Sequence, residues 1–174
     1  VLEEGKSLRT VSFNEEEQKL LKGFQLLTIK PVLYVANVNE DGFESNPFLN
    51  QIYDLAKEDG SEVVAICAEL EAEISGLANE EKIEFLKELG LEESGLDRLT
   101  RAGYKLLGLQ TYFTAGEKEV RAWTINVGDS APKAAGKIHT DFERGFIRAE
   151  TVTFDDYIQN NGEKGSKEAG KLRS

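Results

Sequence analysis

Pro31-Val32-Leu33-Tyr34-Val35-Ala36-Asn37-Val38-Asn39-Glu40 turns from apolar to polar at Asn37. Pro31 starts an apolar run, Val32 to Ala36, that predicts a strand buried on both faces. A second such run is Val63-Val64-Ala65-Ile66-Cys67. Between them, residues 50–57 place Ile52, Leu55 and Ala56 on one side of a short helix. Strand, helix and strand at this spacing make a βαβ unit, hence a parallel sheet with a right-handed crossover. Open parallel sheets bind ligands outside the carboxyl ends of their strands. Asn37–Glu40 and Cys67-Ala68 are the segments that leave those ends.

Working outward, Ser12 followed by Glu15 has capping-box spacing and predicts a helix running to about Leu27. Downstream, helices are expected over 80–89 and 96–107, stopped by Gly90 and Gly108, residues suited to a left-handed cap. Residues 109–114 and 120–126 read as strands with Gly116 in the turn between them. Ala131–Lys137 fits a short helix, and Phe146–Phe154 alternates like a half-exposed strand. The tail from Asp155 reads as helical or irregular. An α/β unit followed by a small α+β unit is the expected architecture.

Charge divides the chain in the same way. The 174 residues carry a net −11, but residues 1–104 hold 22 acidic and 10 basic side chains, whereas residues 105–174 hold 10 and 11. The change predicts a boundary near residue 105 and two units with different partners. The acidic excess argues against a free-standing DNA grip, because phosphate neutralisation needs a basic surface. The single cysteine, Cys67, excludes an internal disulfide and any multi-cysteine metal site. With neither a membrane-span window nor a signal-peptide pattern, the expected location is the cytoplasm, with no membrane partner. The chain begins at Val1 and has no methionine, which fits a processed chain or a fragment.

Each candidate motif has a chemical reading and a plain one. Asn37-Val38-Asn39-Glu40 offers an amide donor and acceptor for a purine edge, or an ordinary Asx turn closing a strand. Cys67 flanks the same edge, or is one more small core residue. Gly5-Lys6-Ser7 ends like a phosphate loop, but Glu3 and Glu4 would sit in the anion cradle, so a solvated turn is expected. His139, the only histidine, lacks a nucleophile partner and reads as a hydrogen-bonded turn residue. Lys118, Arg121, Lys133, Lys137, Arg144 and Arg148 are interleaved with Tyr112, Phe113, Trp123, Phe142 and Phe146. That mixture suits RNA, and equally core aromatics beside a solvated charged face.

Four contiguous blocks, residues 110–116, 119–124, 131–136 and 138–150, resemble the TGS domain of the YchF/Obg-like ATPase family. Residues 26–38 look like that family's base-recognition strand, and 89–104 like its interdomain helix. The resemblance covers essentially the whole chain. It implies a partial P-loop NTPase (parallel sheet, βαβ) followed by a β-grasp TGS domain. Residues 1–27 would end a helical (coiled-coil) insertion, 28–104 would complete the nucleotide-binding domain, and 105–174 would form a TGS domain lacking its closing strands. The phosphate loop and magnesium ligands would lie upstream, so this chain alone should not hydrolyse ATP. The implied parent is a ribosome-associated ATPase/GTPase using Mg²⁺, with ATP or GTP and the ribosome or ribosomal RNA as partners. The alternative is an RNA- or ribosome-binding TGS module with no catalysis of its own.

The resemblance also sharpens Asn37–Glu40. GTPases place Asn-Lys-x-Asp here, the aspartate accepting two guanine N–H donors. Glu40 is one methylene longer and Val38 gives only a short apolar cover. Losing a built hydrogen-bond pair removes selectivity of roughly 10⁴–10⁵, so ATP should be accepted at least as well as GTP. Asn37 would read the purine edge, while Val38, Cys67 and Ala68 flank the base. The family often carries serine where Cys67 stands.

Overall fold

Asn14, not Ser12, opens the first helix, α1 (Glu15–Phe24). Its side-chain oxygen accepts from the N–H groups of Glu16 and Glu17, and the Glu17 carboxylate accepts from the Asn14 N–H. Three consecutive glutamates make both pairings legible in sequence, and the later one forms. The helix also ends before Leu27, because Gln25 takes a left-handed conformation with φ 51°. The computed structural model describes residues 2–116 and 118–174.

The two apolar runs form β1 (Leu33–Asn37) and β2 (Glu62–Ile66), parallel, with Leu33 opposite Glu62 and Asn37 opposite Ile66. The crossover helix α2 (Pro47–Asp59) is longer than expected at both ends. Asn46 accepts from the Phe48 and Leu49 N–H groups, and Pro47 takes the first helical position, where its missing N–H costs nothing. Gly60, at φ 71°, closes it. After β2 and Cys67 comes α3 (Ala68–Ser75), a helix not among those expected, followed by α4 (Asn79–Glu88) and α5 (Gly95–Leu106).

Leu49 and Ala56 of α2, Val64 and Ala65 of β2, Leu70 and Ile74 of α3, and Ala102 of α5 are all buried. β1 is less covered than its apolar run predicts: Val35 is 47% exposed. Both α2 and α5 pack more extensively on β2 than on β1, so one partner strand leaves the first strand half open.

The chain divides into units Val1–Gly108 and Leu109–Ser174. The second is built on an antiparallel hairpin, β3 (Leu109–Ala115) and β4 (Val120–Asn126), with Tyr112 opposite Trp123. Four short helices follow: α6 (Ala131–Ile138), α7 (Thr140–Arg144), α8 (Phe154–Gln159) and α9 (Glu163–Glu168). By the strand period of two, Tyr112, Trp123 and Ile125 share one face. The Tyr112 hydroxyl donates to the Ala134 carbonyl at 2.8 Å, tying α6 to that face. The opposite face carries Phe113 and Val120, both exposed.

Phe146–Phe154 does not form the expected strand. Only Thr151 pairs, in an isolated bridge with Arg173 whose two N–H···O bonds are each 2.8 Å. Ile147 is 91% exposed. Alternation makes a strand only where a neighbour supplies the ladder, and among the described residues that neighbour contributes Arg173 alone.

Candidate functional site

The carboxyl ends of β1 and β2 open at one edge of the parallel sheet. The pairing continues one step past β1, where the Val38 N–H donates to the Ile66 carbonyl at 2.8 Å. Asn37 Oδ1 then accepts from the Ala68 N–H at 3.0 Å. Cys67 stands at the N-cap of α3 and gives no side-chain cap, so the amide of Asn37, thirty-one residues away, fills that place. An amide has a distinct acceptor end and donor end. With the oxygen committed to Ala68, the Nδ2 end faces away from the helix on an exposed residue.

The structure thus brings Asn37, Val38, Cys67 and Ala68 together at one edge. Val38 is half-buried and Ala68 exposed, while Cys67 is only 3% exposed. Asn39 and Glu40 follow as exposed side chains on a tight turn in which the Gly42 N–H donates to the Asn39 carbonyl at 2.9 Å. Gly42 is needed there: an added Cβ would stand 3.1 Å from the Asn39 N and O and from the Val38 Cβ. Ser45 takes a left-handed conformation at φ 53°, and Asn46 Nδ2 donates to the Gly42 carbonyl at 3.0 Å while its oxygen caps α2.

Sequence reasoning missed several residues that shape this edge. Glu71 of α3 accepts from the N–H groups of Gly95 (2.6 Å) and Leu96 (3.2 Å), holding the start of α5. Ser94 caps the same helix, its hydroxyl accepting from the Asp97 N–H. The same hydroxyl donates to the Asp97 carboxylate, which this bond, aided by Lys82, keeps below the usual carboxylate range. The Asn46-Pro47 pair, a cap followed by a first-turn proline, and Ser94 with Asp97 three residues on had recognisable sequence signals, whereas Glu71 had none.

At the opposite edge of the sheet lies a cleft of about 710 Å³ lined by Arg9, Asp59, Ser61 and Leu106 among others. Asp59 accepts from the Tyr34 hydroxyl at 3.0 Å and the Ser61 N–H at 3.1 Å, and pairs with Arg9 at 3.5 Å. Ser61, then Tyr34 and Arg9, hold its carboxyl below the usual range, and the same carboxylate pushes the Tyr34 hydroxyl up. Gly5-Lys6-Ser7 precedes this network as a turn. Gly5 has φ 70°, Lys6 pairs with Glu4 at 2.9 Å, and Ser7 accepts from Arg9. It follows a short 3₁₀ turn, not a strand.

In the second unit the six basic candidates are spread over several elements. Lys118 is exposed in the hairpin turn, and Arg121 stacks on Trp123 at 4.3 Å. Lys133 pairs with Asp129 at 3.7 Å, and Lys137 lies one turn along the same face of α6. Asp129, held low first by the Asn126 N–H, also feels both lysines. Arg144 ends α7 and Arg148 sits in the extended segment, both exposed. His139 caps α7, its Nδ1 accepting from the Asp141 N–H at 3.2 Å, as a turn histidine should. Among the described residues no group of three or more His, Cys, Asp or Glu side chains could hold a metal ion, and no helix is long and apolar enough to cross a membrane.

A mixed α/β chain with a small parallel sheet and a polar strand-end edge is the class this architecture defines. It superposes on a structure of the Schizosaccharomyces pombe YchF GTPase with a TM-score of 0.84 at 34% identity, covering 99% of this chain and 47% of that one. Residues 109–174 match the family model YchF-GTPase_C, described as a protein of unknown function (DUF933). The chain is 60% identical to the ribosome-binding ATPase YchF of Escherichia coli O157:H7 and 58% identical to that of Haemophilus influenzae, in each case over 99% of this chain and 48% of the relative. With the Bacillus subtilis protein of the same name the identity is 55%. The chain is thus similar along nearly its whole length to YchF proteins, and it spans about half the length of the curated relatives it matches.

Proposed function

We propose that this chain is the base-recognising and docking part of a cytoplasmic, ribosome-associated ATPase of the YchF/Obg-like kind. Residues 28–104 complete its nucleotide-binding domain and carry the purine edge. Residues 105–174 form a TGS-type β-grasp module that approaches the ribosome or its RNA, and residues 1–27 end a helical insertion. The observation that carries the reading is Asn37: its amide is oriented by the Ala68 N–H, which leaves a donor turned outward at the carboxyl edge of a parallel sheet. A donor in that position suits a purine ring nitrogen. Glu40, one methylene longer than an aspartate and exposed, does not offer the short bidentate carboxylate that selects guanine, so the edge accepts ATP at least as well as GTP.

Magnesium would accompany the triphosphate. On this reading its ligands, like the phosphate loop, lie in the part of the full-length relatives that this chain does not span. Hydrolysis rests on metal and phosphate positioning, and this chain alone is inactive. In a full-length protein carrying this segment, Val38→Lys combined with Glu40→Asp rebuilds the guanine-selective pattern. It should move the ATP-to-GTP affinity ratio toward GTP by at least tenfold, read by competition binding of the two nucleotides. An unchanged ratio removes the motif from base selection.

The docking half of the proposal is supported by the relatives, which are described as ribosome-binding, and by the absence of the acidic excess from residues 105–174. An electrostatic contact of this unit with RNA predicts co-sedimentation with ribosomes that weakens as salt rises.

A further inference from the structure

The loop bearing Asn39 and Glu40 is held from a second side by α5. Arg98 Nη2 donates to the Ala65 carbonyl at 3.0 Å. Successive carbonyls of a strand point to opposite edges, and Ile66 gives its oxygen to Val38 beside β1, so Ala65 presents its oxygen on the outer edge of β2. Arg98 occupies that edge, and its guanidinium also lies 5.9 Å from the centre of the Phe43 ring. Its Nε is buried with no hydrogen-bond partner. A buried donor left unpaired is a standing cost, which a residue serving only to block a strand edge need not carry.

Phe43 directly follows Gly42, the glycine packed against the Asn39 backbone. The ring borders a groove of about 540 Å³, lined also by Tyr53, Arg101 and Ala102, so it is not enclosed by close packing. Asn39 and Glu40 are exposed. Gly42 and Phe43 continue the same loop, and the Arg98 guanidinium faces the Phe43 ring from α5.

We propose that Arg98 is a positioning residue for the purine edge, fixing Asn39 and Glu40 through Phe43 so that the loop meets a purine nucleoside in one preformed shape. The inference rests on the base-edge reading above. Arginine suits the task because a planar guanidinium donates in its plane and stacks on its face at once, which a lysine ammonium does not.

The test uses the 174-residue chain, with adenosine as the probe. Backbone ¹⁵N relaxation reports the order of residues 39–45, and amide shifts of Asn39 and Ala68 report adenosine affinity. Arg98→Lys and Phe43→Leu are each expected to lower loop order while amides of β2 and α5 keep their hydrogen-exchange protection. Each should weaken adenosine about five- to tenfold, and the double variant should be no weaker than either single one. A folded Arg98→Lys chain with unchanged loop order and affinity would overturn the proposal, as would additive losses. If Arg98→Lys does not fold, Phe43→Leu alone decides through the same two measurements. If wild-type chain shows no adenosine-dependent shifts at residues 37–40, the base-edge reading fails. The loop-order comparison then still decides whether Arg98 positions the loop.

Discussion

In the first unit, side chains reach far along the sequence. Asn37 bonds to Ala68, Tyr34 to Asp59, Glu71 to Gly95, and Arg98 to Ala65, separations of 31, 25, 24 and 33 residues. In the second unit most of the side-chain bonds described are shorter in reach, the longer ones being Tyr112 to Ala134, Lys171 to Asp156 and Ser166 to Asp156. Trp123 donates to Thr114 across the hairpin, Asp129 accepts from Asn126, and Thr153 and Ser166 serve their own helix starts. Large apolar side chains are more than half exposed in both units, among them Phe24, Leu27 and Phe48 in the first and Phe113, Ile147 and Phe154 in the second. A parallel βαβ unit must tie distant segments together, and the tie from Asn37 to Ala68 lies at its polar strand-end edge. A hairpin with short helices closes by local turns and leaves its surface to other contacts.

The sharpest way to break this contrast is to remove one fitted position from the local unit. A Cβ at Gly165 would stand 1.8 Å from the Asn160 carbonyl oxygen, a backbone atom that cannot step aside. Gly165→Ala is expected to destabilise the second unit by about 3 kcal/mol or more, seen as the loss of Trp123 fluorescence changes from the cooperative part of a urea titration. First-unit amides should keep their hydrogen-exchange protection. If both units lose protection together, the division into a stitched and a local unit is wrong.

The long-range ties are tested by Glu71→Ala. It leaves the N–H groups of Gly95 and Leu96 without their acceptor at the start of α5. An expected loss of about 1–2 kcal/mol, read from the urea midpoint of the first unit, would match a cap supplied from another helix. A loss within experimental error would mean that Ser94 alone suffices.

The smallest effect concerns acid. Asp59 has its folded pKa lowered from a value near 3.8, chiefly by Ser61, with Tyr34 and Arg9 adding to it. A depressed carboxylate contributes stability that is present above the unfolded pKa and lost as pH falls through the folded one. First-unit stability should therefore decline below about pH 4, and Asp59→Asn should flatten that part of the profile. An identical acid limb in the variant would show that the Arg9–Asp59–Tyr34 network adds nothing to it.

What was legible in the sequence follows the same divide. β1, β2, the hairpin and most helices announced themselves through apolar runs, spacing and terminal glycines, all local signals. The first strand's carboxyl end was recognised as a polar edge, and Asn37 and Ala68 do meet there. The start of α3 lacked a local signal because its cap comes from Asn37 across the sheet, although its Ala, Glu and Leu content and the Leu70–Ile74 spacing are themselves helical signals. Glu71 and Arg98 were unreadable for a related reason: each is an ordinary charged helix residue until the fold brings a backbone N–H or carbonyl to it. The expected strand over Phe146–Phe154 failed in the opposite sense. Its alternation is a genuine strand pattern, but a pattern cannot provide a partner, and Thr151 finds only Arg173.

Gly95 has a consequence for how sequences of this kind can drift. A side chain there would meet Glu71 Oε1 at 2.8 Å and Ile66 Cγ2 at 3.0 Å, so the glycine is permitted to change only after its neighbours retreat. Yet a shorter acid at position 71 would lose reach to the helix it caps. The two positions are linked across 24 residues, so a side chain at Gly95 would have to displace the Glu71 carboxylate and with it the cap on α5.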